Sequence, residues 1–585
     1  MPSVVIQNFN NGLDARNMPE ATQGGALLRA NNCVINHGGE VEKHEAWNKI
    51  FSLPTGKTFG LRVISDITHV FGSVANPGAM PQKTVYDQLV PASGANMTGV
   101  IDTELFDGKI YVIATFDDGH IVHFYDGTEV TDLVDRTAVG KVTIAGTSGT
   151  VDDITVDGIQ ITIGQIGFNT DLTQTAKDVA RNINYNKTAP NYRATPYGAT
   201  VIISADLPGT DANGKIVSAA YSGLVVTVTV SPMAGGSAHP ANEYQPGTFA
   251  YTSTEKMHSI NKSVVHFSDI NLPMAYDPTG PGAGAGFINM ANHVTGSEEV
   301  VAAAVYFNSH GFFTRSNIQI WNLDPDPDYN AREQTLQNTG AVAPQSVVAY
   351  GNDVVYLSNT GVRSLQIRDS SRAANVNDIG TSIDPLLQEL IANNRQDTQE
   401  AQAIVDPLTQ RYYLSIGEDI YIFNFFPGND VNAWTKSEPG FKVEQFDTRE
   451  LRIVCRAGDS IYQLGGPTGA NGVCPTNRYG TRGSSDNVQA DIITPFIDAG
   501  DPSRFKLEKG LDLAIEGEWD VYLLTDPKDL TVQLPICTLN ESTFKIGRLP
   551  LDGYGTHFAF RFVSRGYQYA RISKILQHFD LGEQQ

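Results

Sequence analysis

Three runs in this chain place residue types where chemistry could occur. The first, Leu53-Pro54-Thr55-Gly56-Lys57-Thr58, ends in the Gly-Lys-Thr of a phosphate-binding loop, in which backbone amides cradle phosphates and the lysine neutralises them. It lacks the upstream glycine at the required spacing, so no phosphate site is expected. The second, Gly280-Pro281-Gly282-Ala283-Gly284-Ala285-Gly286, has the glycines that let a backbone approach a pyrophosphate. No strand feeds it and no helix pattern follows, so a loop is expected rather than a dinucleotide fingerprint. The third, Asp324-Pro325-Asp326-Pro327-Asp328, gathers the carboxylates that calcium takes. Its prolines stiffen it and the Gly and terminal Glu of a calcium loop are missing, so a solvated acidic loop is expected.

Acid/base work needs two carboxylates converging in a cleft, and glycan-cleaving propellers set them on inner strands of different blades. Asp107, Asp353 and Asp459 each precede a strand of a repeat, but each lies in a turn, where Asp is favoured for local hydrogen bonds. Cys33, Cys455, Cys474 and Cys537 form no CxxC pair and have no His cluster beside them, so reduced thiols in small apolar sites are expected. HExxH, GxSxG and EF-hand patterns do not occur. No residue is therefore assigned a catalytic, cofactor-binding or metal role, and neither a cofactor nor an enzyme is expected.

The elements that carry these residues are short strands between Gly, Asp and Asn turns. Phe106-Asp107-Gly108-Lys109-Ile110-Tyr111-Val112-Ile113-Ala114 runs on through Asp117-Asp118-Gly119 to His120-Ile121-Val122-His123-Phe124-Tyr125. Asp-Gly between alternating apolar runs is a strong hairpin signal. Similar units recur at 350–365, 410–423 and 457–464, with aromatics at the strand centres, and further ones are expected around 264–267 and 300–321. Antiparallel sheets repeated in this way read as β-propeller blades, with a sandwich of stacked hairpins as the alternative.

Between 137 and 238 the repeat gives way to Gly, Thr, Ala and Val. A hairpin at 154–163 precedes a helix over 170–187, with Leu172, Ala176, Val179, Ala180 and Ile183 on one face and Asn169 or Thr170 as N-cap. Strands at 199–204 and 225–230 complete a small α+β module. A second helix is expected at 382–394, with Pro385 in its first turn. A Gly/Ser/Asn-rich linker at 471–487 leads to strand patterns at 492–497, 511–515, 519–524 and 557–563. The expected fold is thus mainly β: an N-terminal β platform (1–70), a β-propeller-like core (71–136 and 239–471), the inserted α+β module (137–238) and a C-terminal β-sandwich (488–585).

At 585 residues the chain can bury several cores. With 41% hydrophobic and only 18% charged residues, long Glu/Lys-rich helices are disfavoured and β structure is suited. The net charge of −23, with no basic run, excludes ordinary nucleic-acid gripping. It suits a wall past which DNA slides without sticking. The opening residues lack a basic start followed by a long apolar stretch, and no window approaches eighteen apolar residues, so neither a secretory signal nor a membrane-spanning helix is expected.

The opening run Asn11-Gly12-Leu13-Asp14-Ala15-Arg16, then Pro19, Ala26-Leu27-Leu28-Arg29-Ala30-Asn31-Asn32 and Gly38-Gly39-Glu40-Val41-Glu42-Lys43 resembles the start of tail tube, nozzle and hub proteins of short-tailed (podovirus-type) bacteriophages. Lys43 keeps the basic charge of that pattern, whereas Glu45 stands where its last glycine usually falls. The stretch from Gly340 to Ser346 and on to Gly361-Val362-Arg363-Ser364-Leu365 is similar to a blade of the same family. The resemblance covers most of the chain outside 137–238. It implies a structural virion protein of the tail, assembled in the host cytoplasm, that forms a ring of copies, usually a homohexamer. That ring would sit below the portal-side adaptor ring, dock tail fibres or tip proteins, and hold and then conduct DNA without sequence-specific binding. Hairpins of the opening run would meet a neighbouring subunit or the ring above. The inserted module would serve as a nozzle tip or fibre dock. From the residues alone, a monomeric glycan-binding or glycan-cleaving propeller is the alternative.

Overall fold

A computed structural model describes residues 2–584 apart from 76, 118–122, 132–136, 187, 189, 207–208, 224–226, 237–243, 246, 279–283, 294–297, 307, 368–373, 466–488 and 566–568. The chain is mainly β, with 53% of residues in strands and 9% in helices. Its backbone divides into two compact units: Met1–Leu53, Arg315–Ile318 and Leu336–Gln585 in the first, Pro54–Thr314 and Gln319–Thr335 in the second.

Blade-type sheets, each a run of consecutive strands, form the β-propeller-like core. The second unit holds a three-stranded sheet (Phe59–Ile64, Ile67–Gly72, Thr84–Gln88) and two four-stranded meanders. The first meander is Met97–Phe106, Lys109–Phe116, His123–Tyr125 and Val130–Thr131; the second is Phe249–Ser253, Lys256–Asn261, Val264–Phe267 and Gly286–Asn289. Most of a further sheet, from Val300 to Gln337, follows. Apolar clusters fill the spaces between successive sheets, as with Phe106, Tyr111, Phe124, Tyr244 and Met257. The Asp107-Gly108 turn has φ of 45° and 73°, the left-handed pair that matches strand twist in a two-residue hairpin. The turn expected at 117–119 lies partly outside the described residues.

In the first unit, the sheet of Val348–Tyr350, Asp353–Ser358, Gly361–Ile367 and Ala374–Asp378 is followed by one built on Gln402–Val405, Tyr412–Ile416, Asp419–Phe426 and Val431–Ser437. The last blade-type sheet takes Gln445–Arg449, Arg452–Ala457 and Ser460–Leu464 from one part of the chain and its outer strand, Trp47–Ser52, from far upstream. Core sheets therefore start at Phe59 and borrow a strand at 47–52, ahead of the boundary at 71 read from the sequence.

The N-terminal strands do not stand apart from the C-terminal ones. Arg29–Asn31 pairs in parallel with 431–437 at Lys436 and antiparallel with Asp491–Ile493, joining a blade-type sheet to the strands Ala559–Ser564, Trp519–Leu524 and Gln533–Leu539. In a second sheet, Arg504–Glu516 pairs with Arg571–Gln584, which also carries Ser3–Gln7 and Val41–Lys43. The platform of 1–70 and the sandwich of 488–585 thus share both sheets and one core, where Leu13, Leu27, Ile35, Trp434, Leu513, Trp519 and Phe560 are buried. Sequence patterns cannot show such interleaving, because they read neighbours along the chain only.

Residues 137–238 bring two small sheets and helix α1 (Leu172–Tyr185) around a cluster drawn from 138–233. Asp171 caps α1, its side chain accepting the Gln174 N–H at 2.8 Å, rather than Asn169 or Thr170. Asp171 has the extended backbone a cap requires (φ −150°, ψ 177°), and Thr170 stands at φ 22°. Tyr192–Tyr197 and Val217–Ser222 are strands that the sequence pattern did not mark. Helix α2 spans Asp384–Asn393 with Pro385 in its first turn. The 471–487 linker lies outside the described residues.

Candidate functional site

Each chemistry-bearing run meets a local structural use. Within 53–58, the Lys57 N–H closes a turn on the Pro54 carbonyl at 3.2 Å and Gly56 takes φ 63°. A strand, not a helix, follows at Phe59, so no helix N-terminus adds its field to the amides. In the glycine-rich run, 280–283 lies outside the described residues, Gly284 donates to Asp269 Oδ1 at 3.0 Å, and Gly286 opens an antiparallel strand.

The Asp-Pro run holds its own shape. The Asp326 N–H donates to Asp324 Oδ1 at 2.9 Å, Asp326 caps a single 3-10 turn, and the Asp324 N–H donates to Asn330 Oδ1 at 2.9 Å. Beside it the fold already supplies a cation. Lys256, 1% exposed, sends its Nζ to the carbonyls of Pro325 and Gly284 and lies 5.2 Å over the Phe267 ring. Burial pulls this ammonium below its ordinary pKa, and Asp269, Asp326 and Asp324 pull it back. The loop's charge thus serves a lysine rather than facing solvent alone. Among the described residues, no three His, Cys, Asp or Glu side chains are grouped to hold a metal ion.

Asp107, Asp353 and Asp459 sit at the turns of three different sheets. Asp353 accepts the Gln366 Nε2–H at 2.7 Å, and burial raises its pKa against that bond. Cys33 and Cys455 are buried free thiols pushed far up by desolvation, Cys537 is half-buried and free, and Cys474 lies outside the described residues.

The residues that carry the family resemblance have definite structural work. Gly12, at φ 58°, lies so close to strand 431–437 that a Cβ would overlap the Trp434 carbonyl oxygen. Gly39, at φ 72°, would overlap Asn10 Oδ1, and its own carbonyl accepts the Phe9 N–H at 2.8 Å. Asp14 Oδ1 accepts the N–H groups of Arg16 and Asn17 at 3.0 and 3.2 Å. Gly361 leaves room for Asp384 Oδ1, and Arg363 grips that carboxylate at 3.2 and 3.0 Å while reaching Asp378 at 2.9 Å. The two parts of the resemblance are therefore clamps within one chain, with Gly12 and Gly39 packed against Trp434 and Asn10.

Other polar clusters had no signal in sequence spacing. Arg411 donates to Asn424 Oδ1 at 2.7 Å and to the Ile35 carbonyl at 3.0 Å, and the Ile35 N–H donates to the same Asn424 oxygen. His44 lies 3.2 Å from the Tyr413 hydroxyl, and burial with Arg411 pushes it down to about 3. In the second unit, His258 stacks on Tyr251 at 4.5 Å, while His310 lies 3.4 Å from the Tyr251 hydroxyl and 3.3 Å from Ser253 Oγ. Burial holds His258 to about 3 and His310 to about 4. His44 and His310 find their partners 369 and 59 residues away, while His258 and Arg411 meet Tyr251 and Asn424 on a neighbouring strand. These clusters pin strands together as neutral or paired groups.

No family model and no curated protein matches the chain. Among solved structures it is similar to BamB from Moraxella catarrhalis, at 9% identity over 72% of this chain and 97% of that one, with a TM-score of 0.31. It is also similar to the Pan2 WD40 domain of Neurospora crassa, at 9% identity over 64% of this chain and 90% of that one, with a TM-score of 0.27.

Proposed function

We propose that this chain is a structural protein of a short-tailed phage tail, of the nozzle or hub type. Copies form a ring, six by the resemblance, whose channel retains DNA and then conducts it during ejection. The ring sits below the adaptor on the portal side and docks tail fibres or tip proteins. The observation that carries this reading is the job done by the residues of the resemblance. Gly12, Gly39, Gly361 and Arg363 make tight intrachain contacts, and a residue pattern tied to such contacts supports the reading more than one of scattered turns would. Charge is consistent with the role: six copies at −23 each carry −138, and a wall of that sign repels phosphate instead of binding it.

Negative-stain images of the purified full chain test the reading. Sixfold rings with a central hole are expected. A compact monomer that binds or releases sugar would replace it with the glycan-directed propeller.

A further inference from the structure

The seam between Arg504–Glu516 and Arg571–Gln584 joins the two longest strands among the described residues. Inside it lie Glu508 and Gln577, 0% and 2% exposed. Gln577 Nε2 donates to Glu508 Oε1 at 2.7 Å. The remaining polar atom of each group, Glu508 Oε2 and Gln577 Oε1, is buried without a hydrogen-bond partner. With the carboxyl ionised, both would be acceptors with nothing to accept, an arrangement that buried polar groups rarely tolerate. A proton on Oε2 makes it a donor, and a carboxylic acid facing a primary amide can close a ring of two parallel hydrogen bonds.

We propose that Glu508 and Gln577 form a proton-dependent latch: Glu508 holds a proton on the acid side of neutrality, bonds Gln577 twice, and loosens the seam when that proton leaves. The surroundings favour the neutral form. Lys506, two residues along the same strand, is the charged group nearest in its influence, and it favours ionisation. Its Nζ is engaged by the carbonyls of Asp501, Arg504 and Thr556 at 2.6, 2.9 and 3.0 Å, and it also feels Asp498 and Asp501. Strand Leu549–Gly555 brings Gly553 toward Glu508, while its one titratable acid, Asp552, is exposed. Along the partner strand, His578 is bound to Asp512, which Arg548 also holds, and Asp580 pairs with Lys509. Burial outweighs Lys506 and the Gln577 bond and raises the carboxyl to about 7.

The strand of Gln577 also carries the first strand of the chain, with Val4 opposite Gln577. Opening the latch therefore loosens 3–7 together with 571–584. Because the folded-state pKa is raised, the latch contributes fully below the unfolded value near 4.5 and is lost as pH rises through about 7.

Glu508→Gln tests this, because its NH2 group stands in for the carboxyl proton at every pH. In the full chain, amide protection factors in 3–7 and 571–580 should fall about tenfold between pH 6 and pH 9 in the wild type, because one of the pH units separating the unfolded from the folded value lies above pH 6 and each unit in that window is worth a factor of about ten. They should stay level in Glu508→Gln. Independently, the wild type at pH 6 should show a protonated-carboxyl infrared band that Glu508→Gln lacks. An equal fall in both proteins, no such band at pH 6, or failure of Glu508→Gln to fold at pH 6 would each overturn the latch.

Discussion

At the scale of single residues, several side chains are defined by the space a neighbour leaves. Gly361 exists because Asp384 Oδ1 fills the place of a Cβ, and Arg363 exists to hold that carboxylate. Gly361→Ala, with its φ of 128° as well, should cost about 2 kcal/mol in denaturant unfolding of the first unit. Combining it with Asp384→Ala should cost less than the two changes added, because the second removes the atom that the first would strike. Buried histidines give a second prediction. His44, His258 and His310 have folded pKa values near 3, 3 and 4, against about 6.5 when unfolded. Their depressed values make stability complete above about 6.5 and lost as pH falls toward 4. The melting temperature should therefore drop steadily between pH 6.5 and 4.5, and His258→Gln should shrink the drop. Gly361 itself was legible in the run Gly361 to Leu365. Asp384 as the reason for Gly361 was not, since 23 residues and a helix N-terminus separate them.

At the scale of elements, turns decided what could be read. Asp107-Gly108 and Asp157-Gly158 announce their hairpins because those residue types accept positive φ. Thr254-Glu255 and Glu450-Leu451 adopt the same left-handed pair without any such preference, so their hairpins left no mark in the sequence. Helices α1 and α2 were visible from apolar spacing, which depends only on local period. The inserted region offers a prediction of its own. Its first and last strands run side by side, with Val139 opposite Ala234, so a short Gly-Ser link between those ends closes the gap at little entropic cost. Excision of 140–233 should leave a folded chain and, under the proposed tail role, one that still forms rings but loses fibre or tip attachment, read by negative stain and by binding of the purified fibre. Normal attachment after excision would remove the docking role from the insert.

At the scale of the whole molecule, net charge is the property that no single contact displays. Copies at −23 repel one another, over about 30 Å at 0.01 M salt and about 8 Å at 0.15 M. Assembly into the proposed ring should thus strengthen as salt rises across that range, a trend that sedimentation velocity can follow. A ring held mainly by ion pairs between copies would weaken instead. The sequence by itself determined the β character, the hairpins closed by Asp-Gly turns, the two longest helices and the acidic balance, because each depends on local period, turn chemistry or a sum over residues. Only the tertiary structure decided that Trp47–Ser52 completes a sheet built 400 residues later, and that Arg29–Asn31 splices a blade-type sheet to the C-terminal strands. It alone set Glu508 against Gln577 and gave the Asp324 and Asp326 carboxylates a lysine to serve. Such pairings join chain segments through backbone hydrogen bonds and burial, which carry no residue-specific signature along the sequence.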